Sequence, residues 1–116
     1  MTRLTLYHNP RCSKSRQALA LLEAQGVEFQ VHRYLETPLD LPALETLLQR
    51  LDGGLQQLLR TSEAEWKTLN VSPDDPQGVL AAIAEYPKLM QRPILDRGDR
   101  AIVGRPPEAI LSLLTD

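Results

Sequence analysis

Tyr7-His8-Asn9-Pro10-Arg11-Cys12-Ser13-Lys14-Ser15-Arg16 is the stretch that decides how this chain folds and where its chemistry lies. On its N-terminal side, Arg3 to Tyr7 alternates as a half-buried strand does, with Leu4 and Leu6 on one face. On its C-terminal side, Ala18, Leu19 and Leu22 recur at helical spacing and form one apolar stripe. Pro10 stops the strand and holds Asn9 in an extended or turn conformation. Cys12 therefore falls in a strand-to-helix turn, at or next to the first helical residue. Unpaired N–H groups and the positive end of the helix dipole stabilise an anion there. Arg11, Lys14 and Arg16 add cations nearby, and His8 adds partial charge. A thiol in such a place has its pKa lowered from ~8.5 to roughly 3.5–7.5, so a thiolate is expected at neutral pH. The same surroundings attract an anionic substrate.

Size and charge narrow the possibilities. The 116 residues are 42% hydrophobic, which suits a single domain spanning 1–116. A net charge of -2 gives no global reason to expect nucleic acid as a partner, nor a membrane surface. The chain lacks an apolar run long enough to span a bilayer and does not open like a signal peptide, so a cytoplasmic protein is expected, acting as a monomer. Its single cysteine rules out an internal disulfide and a cysteine-based zinc site. The position that would complete a Cys-x-x-Cys pair is Ser15, so a redox-active Cys12 needs a thiol from outside the chain to finish its reaction. A lone cysteine is most often an inert core residue. Arginine and lysine around the turn argue against that here.

Beyond the first helix, Gly26 stands where a left-handed helix stop belongs, and Val27, Phe29 and Val31 alternate with polar residues as a second strand. Strand, helix and strand with short joins form a βαβ unit with parallel strands. His32 lies on the polar face of that second strand, a solvated position rather than that of a catalytic base. A helical middle follows. Asp40 caps a helix carrying Leu44, Leu47, Leu48 and Leu51, which Gly53-Gly54 ends. Leu55, Leu58 and Leu59 form a short helix that delivers Arg60 at its end. Ser62-Glu63-Ala64-Glu65 has the spacing of a capping box and starts a helix with Trp66 on its packed side. A turn at residues 72–76 opens another helix, with Val79, Leu80 and Ile83 inward and Pro87 at its end. Ile94-Leu95 and Ala101-Ile102-Val103 flank a glycine-containing turn and read as an antiparallel hairpin. Gly104-Arg105-Pro106-Pro107 then leads into a last helix with Ile110, Leu111 and Leu114 on one side. The expected fold is α/β: a mixed sheet flanked by helices, with a helical insertion at about residues 38–90 between βαβ and ββα halves.

The combination of His8-Asn9-Pro10-Arg11-Cys12 with Ser15-Arg16, Tyr34-Leu35-Glu36, Leu58-Leu59-Arg60, Arg92-Pro93-Ile94 and Gly104-Arg105-Pro106 resembles the arsenate reductases coupled to glutathione and glutaredoxin. The resemblance extends over nearly the whole chain and implies a thioredoxin-like (glutaredoxin-like) fold, within the wider group that includes the Spx proteins. It implies that Cys12 attacks arsenate, that His8 and Ser15 tune the thiolate, and that Arg60, Arg92 and Arg105 hold the oxyanion. It also implies a cis peptide between Arg92 and Pro93, opposite the thiol. In the implied reaction Cys12 displaces water or hydroxide from arsenate, glutathione attacks the arsenic–sulfur adduct, and glutaredoxin removes the glutathione as arsenite leaves. No metal and no bound cofactor is implied; the reductants are external thiols. Ser13 and Lys14 depart from the Gly and Thr of the best-known reductases. Two other readings stay open. One is a monothiol glutaredoxin-like oxidoreductase, which suits Cys-x-x-Ser. The other is an Spx-like regulator that binds RNA polymerase, against which Ser15 stands.

Overall fold

A computed structural model describes residues 4–114, so Arg3, the start of the expected first strand, lies outside the described residues. The elements are β1 (Thr5–Tyr7), α1 (Ser13–Gln25), β2 (Gln30–His32), α2 (Leu41–Arg50), α3 (Leu55–Leu58), α4 (Ala64–Thr68), α5 (Pro76–Glu85), a 3-10 turn (Pro87–Leu89), β3 (Ile94–Asp96), β4 (Ala101–Val103) and a 3-10 helix (Pro107–Leu113). The sheet runs β2-β1-β3-β4. β1 and β2 pair in parallel, and the β1/β3 and β3/β4 pairs are antiparallel. This is the mixed sheet expected from the sequence.

Strand periodicity divides the core between the two faces of the sheet. Leu4, Leu6 and Leu95 pack with Ala18 and Leu22 of α1 and with Ile110 and Leu113 of the last helix. Their alternates Ile94, Ala101 and Val103 pack with Leu44, Leu47, Leu58, Val79 and Ile83 of the helical middle. β1, β3 and β4 thus serve both layers through successive residues. Asp96 is a buried acid within the sheet; Arg50 Nη1 donates to it at 2.9 Å and the Gly98 N–H at 2.8 Å, so its charge is paired.

Local signals explain most element ends. Gly26 takes the left-handed conformation (φ 68°) that closes α1, and Asp40 Oδ1 accepts from the Ala43 N–H at 3.0 Å to cap α2. Three expectations need correction. The second strand covers only Gln30–His32, and Val31 is 44% exposed, because β2 is an edge strand paired on one side alone. Ser62 is not the cap of α4; the N-cap is Glu63, and its side chain makes no cap bond. The last element is a 3-10 helix, and its buried residues are Pro107, Ile110 and Leu113. Their spacing of three is the 3-10 repeat, not the Ile110, Leu111, Leu114 stripe of an α-helix.

Gly104 holds the two halves of the site together. Its N–H donates to the Pro93 carbonyl at 2.8 Å. A Cβ at this position would stand 2.9 Å from Pro93 Cγ and 3.0 Å from Ile110 Cγ2. A proline ring and a core isoleucine cannot swing aside as a long side chain can. Gly104→Ala is expected to destabilise the fold by about 1–3 kcal/mol, read as a lower thermal midpoint.

Candidate active site

The turn after β1 brings Cys12 to the first end of α1 as its N-cap residue, with extended backbone (φ -93°, ψ 123°). No side chain caps this helix and its first turn has no acid, so the free N–H groups remain available for charge on the sulfur. Cys12 is 9% exposed. Burial pushes its thiol up. Against this act the Ser15 N–H, the Arg92 charge, the Lys14 N–H and a hydrogen bond from Arg92; together they hold the thiol below its ordinary value. The sulfur occupies the place of a capping oxygen, and α1 favours it as an anion.

The source of the cationic field differs from the sequence expectation. Arg11, Lys14 and Arg16 are all exposed, and Arg16 Nη1 donates to the Pro10 carbonyl at 3.0 Å. The charge that acts on Cys12 belongs to Arg92. Arg105 also approaches, with Nη2 4.0 Å from Sγ.

His8 contributes less charge than an exposed imidazole would. Its Nδ1 lies 2.6 Å from Ser15 Oγ, and the same oxygen accepts from the Asn9 N–H at 3.0 Å. The Ser15 hydroxyl thus bridges the His8 ring and the Asn9 backbone. Burial and the nearby charges of Arg33 and Arg16 push the imidazole below its ordinary value, in keeping with a neutral ring. Ser15 thus faces the sulfur with its N–H and His8 with its hydroxyl. His8 is joined to the thiol only through Ser15.

Arg60, Arg92 and Arg105 line one cavity of about 290 Å³, together with Leu59, Thr61, Ser62 and Gln91. Each stands at an element end. Arg60 follows α3, where a short antiparallel contact draws it in: its N–H donates to Leu89 O at 2.8 Å, and Gln91 N–H to Leu58 O at 2.7 Å. Arg92 precedes β3 and Arg105 follows β4, and both precede a proline through a cis peptide bond. The first of these bonds was expected; the second was not. Arg105 Nε donates to the Arg92 carbonyl at 3.0 Å, which fixes its fork between the cavity and the sulfur. The Nε of Arg92 is buried with no partner among the described residues. A buried guanidinium donor without an acceptor fits a site that accepts an anion.

Tyr34 belongs to this group and was not assigned to it from the sequence. It is 1% exposed. Burial pushes its phenol up to about 12, against the charges of Arg92 and Arg60; the Cys12 charge acts in the same sense as burial, and the Asn9 side chain bonds to it and acts against. It is therefore a protonated hydroxyl among thiol and arginines. Its place in the Tyr34-Leu35-Glu36 motif was the available signal. His32 stays at the sheet edge, stacked obliquely on Tyr7 with ring centres 5.2 Å apart and its Nε2 2.7 Å from the Thr37 carbonyl oxygen. Among the described residues no cluster of His, Cys, Asp or Glu could hold a metal ion, and no helix is long and apolar enough to cross a membrane.

The fold is shared with known proteins. An arsenate reductase from Vibrio cholerae superposes with a TM-score of 0.88 at 43% identity, over 96% of this chain and 97% of that one. The fold is thus thioredoxin-like. An arsenate reductase of Haemophilus influenzae is 38% identical over 112 residues, 94% of this chain and 97% of the relative. The Escherichia coli protein YfgD, described as uncharacterized, is 43% identical over 112 residues, 94% of each chain. The ArsC family matches residues 7–113, from the end of β1 to the end of the last helix, and the chain belongs to that family.

Proposed function

We propose that this protein reduces arsenate to arsenite, with Cys12 as the nucleophile and glutathione and glutaredoxin as the external reductants. The observation that carries the reading is the meeting of a thiol held below its ordinary value with a cavity lined by three arginines, one of which acts on that thiol directly. Guanidinium forks match the oxygens of a tetrahedral oxyanion, and each charge-assisted bond contributes about 1.5–3 kcal/mol. The relatives that bear the name arsenate reductase support the choice of arsenic over other oxyanions.

In the proposed sequence the Cys12 thiolate forms a sulfur–arsenic bond as one arsenate oxygen leaves as water. Glutathione then bonds its sulfur to the arsenic as a second arsenic-bound hydroxyl leaves as water, with the glutathione thiol supplying the proton. The glutaredoxin thiol attacks the glutathione sulfur, a glutathione–glutaredoxin disulfide forms, and the electron pair of the broken sulfur–arsenic bond takes arsenic from the +5 to the +3 state. Water releases arsenite and returns the Cys12 thiol. Overall, two external thiols are oxidised to one disulfide, and one water is formed.

The test is an assay of arsenite formed from arsenate with glutathione and glutaredoxin present, run beside deglutathionylation of a mixed-disulfide substrate. Arsenite production that needs both reductants is expected. Deglutathionylation without arsenite would replace this reading with the monothiol oxidoreductase, which the Cys12–Ser15 pairing also suits.

A further inference from the structure

One nitrogen of the Arg60 fork is already held by a carboxylate. Glu63 Oε1 lies 2.6 Å from Arg60 Nη1, with the two side chains only 23% and 17% exposed. Glu63 stands at the N-cap of α4, where an acidic side chain ordinarily turns onto the helix N–H groups, yet it makes no such bond. Its carboxylate goes to the arginine instead. The electrostatics of Arg60 show why. Burial and the charges of Arg92 and Arg105 lower its pKa, while Glu63 raises it. Guanidinium groups crowded at one cavity repel one another, and Glu63 offsets that repulsion while no other anion is bound.

We propose that Glu63 is an internal counter-anion that changes places with the oxyanion. As a positioning residue, it pairs with Arg60 in the resting site, gives up Nη1 when a dianion enters, and pairs again when the product forms. This rests on the oxyanion reading of the cavity. Arsenate at neutral pH is a mixture of monoanion and dianion, whereas arsenious acid is uncharged. Reduction therefore removes the charge that displaced Glu63, and its return to Arg60 favours product release. The same exchange weakens the hold of the site on inorganic phosphate, an isostere of arsenate.

Protection of Cys12 from alkylation by iodoacetamide, titrated with inorganic phosphate and with arsenate, tests the exchange in wild type, Glu63→Gln, Arg92→Ala and Glu65→Gln. Glu65 pairs with Lys88 and not with an arginine of the cavity, so Glu65→Gln should match wild type. In Glu63→Gln both anions should protect at roughly threefold to tenfold lower concentration. In turnover its KM for arsenate should fall by a similar factor without a rise in kcat. A merely structural Glu63 would change thermal stability and leave both measurements in place. If phosphate protects wild type and Arg92→Ala loses that protection, but Glu63→Gln titrates like wild type or more weakly, the exchange is wrong while the anion cavity stands. If neither anion protects wild type, the cavity reading falls and the exchange with it. Should Glu63→Gln not fold, Glu63→Ala is judged by the same criterion.

Discussion

Cys12→Ser is expected to reduce arsenate turnover by more than about a thousandfold while leaving the fold in place, because it removes the nucleophile itself. A hydroxyl does not ionise near neutral pH, and the N–H groups that favour a thiolate cannot make serine an equivalent nucleophile. Stability should hardly change. Cys12 is outside both hydrophobic clusters, and its partners are polar: the Ser15 and Lys14 N–H groups, Arg92, and Arg105 at 4.0 Å. Serine is also a preferred N-cap, so the variant should melt at or near the wild-type temperature. The pH dependence gives a second check. The folded thiol is depressed, so its ionisation stabilises the native state above the thiol's unfolded pKa, and this contribution is lost as pH falls through the folded value. The stability difference between wild type and Cys12→Ser should shift in favour of the variant as pH falls through that range. Alkylation of wild-type Cys12 should follow a midpoint below that of a free thiol. Comparable arsenite production by the two proteins would remove Cys12 from the mechanism.

What was legible in the sequence was legible because it is local. Pro10, the apolar stripe of α1 and the stop at Gly26 act within a few residues, so the turn that holds Cys12 could be placed without any tertiary knowledge. Asp40 could be placed as a cap for the same reason. Long-range partners defeated the reading elsewhere. Ser62-Glu63-Ala64-Glu65 has the spacing of a capping box, but its acid, Glu65, pairs with Lys88 and the N-cap position falls to Glu63, which pairs with Arg60. Arg11, Lys14 and Arg16 looked like the source of charge at Cys12 because they are its neighbours in sequence. They are exposed, and Arg92 supplies the charge from the far end of the helical middle. Over seven residues a repeat of three and one of 3.6 barely separate, which is why the final helix was read as α and folds as 3-10. The convergence of Arg60, Arg92 and Arg105 was anticipated from a resemblance and from their places at element ends. The backbone pairing of Leu59 with Met90 that brings Arg60 beside Arg92 left no mark in the pattern of residues.

Arg92→Ala is the other substitution with a large expected effect, because Arg92 acts on both halves of the site. Its guanidinium lines the cavity, and its charge and hydrogen bond lower the Cys12 thiol. Its backbone carbonyl orients Arg105, and that contact survives the change. Loss of one charge-assisted partner for the oxyanion should raise KM for arsenate by roughly tenfold to a hundredfold. The alkylation midpoint of Cys12 should move upward at the same time, since burial then acts with less opposition. Stability should suffer little, as the buried Nε has no hydrogen bond to lose. Arg92→Lys separates the two effects: it returns a charge to the thiol but not the planar fork, so the midpoint should recover further than KM. Arg60→Ala separates them in the opposite sense. Arg60 shares the cavity, but the main charge on the thiol is that of Arg92, so loss of Arg60 should raise KM and move the midpoint less than Arg92→Ala does. An Arg92→Ala protein with wild-type KM and a wild-type thiol midpoint would show that activation of the sulfur and capture of the anion do not depend on this guanidinium, and the coupling between them would have to come from α1 alone.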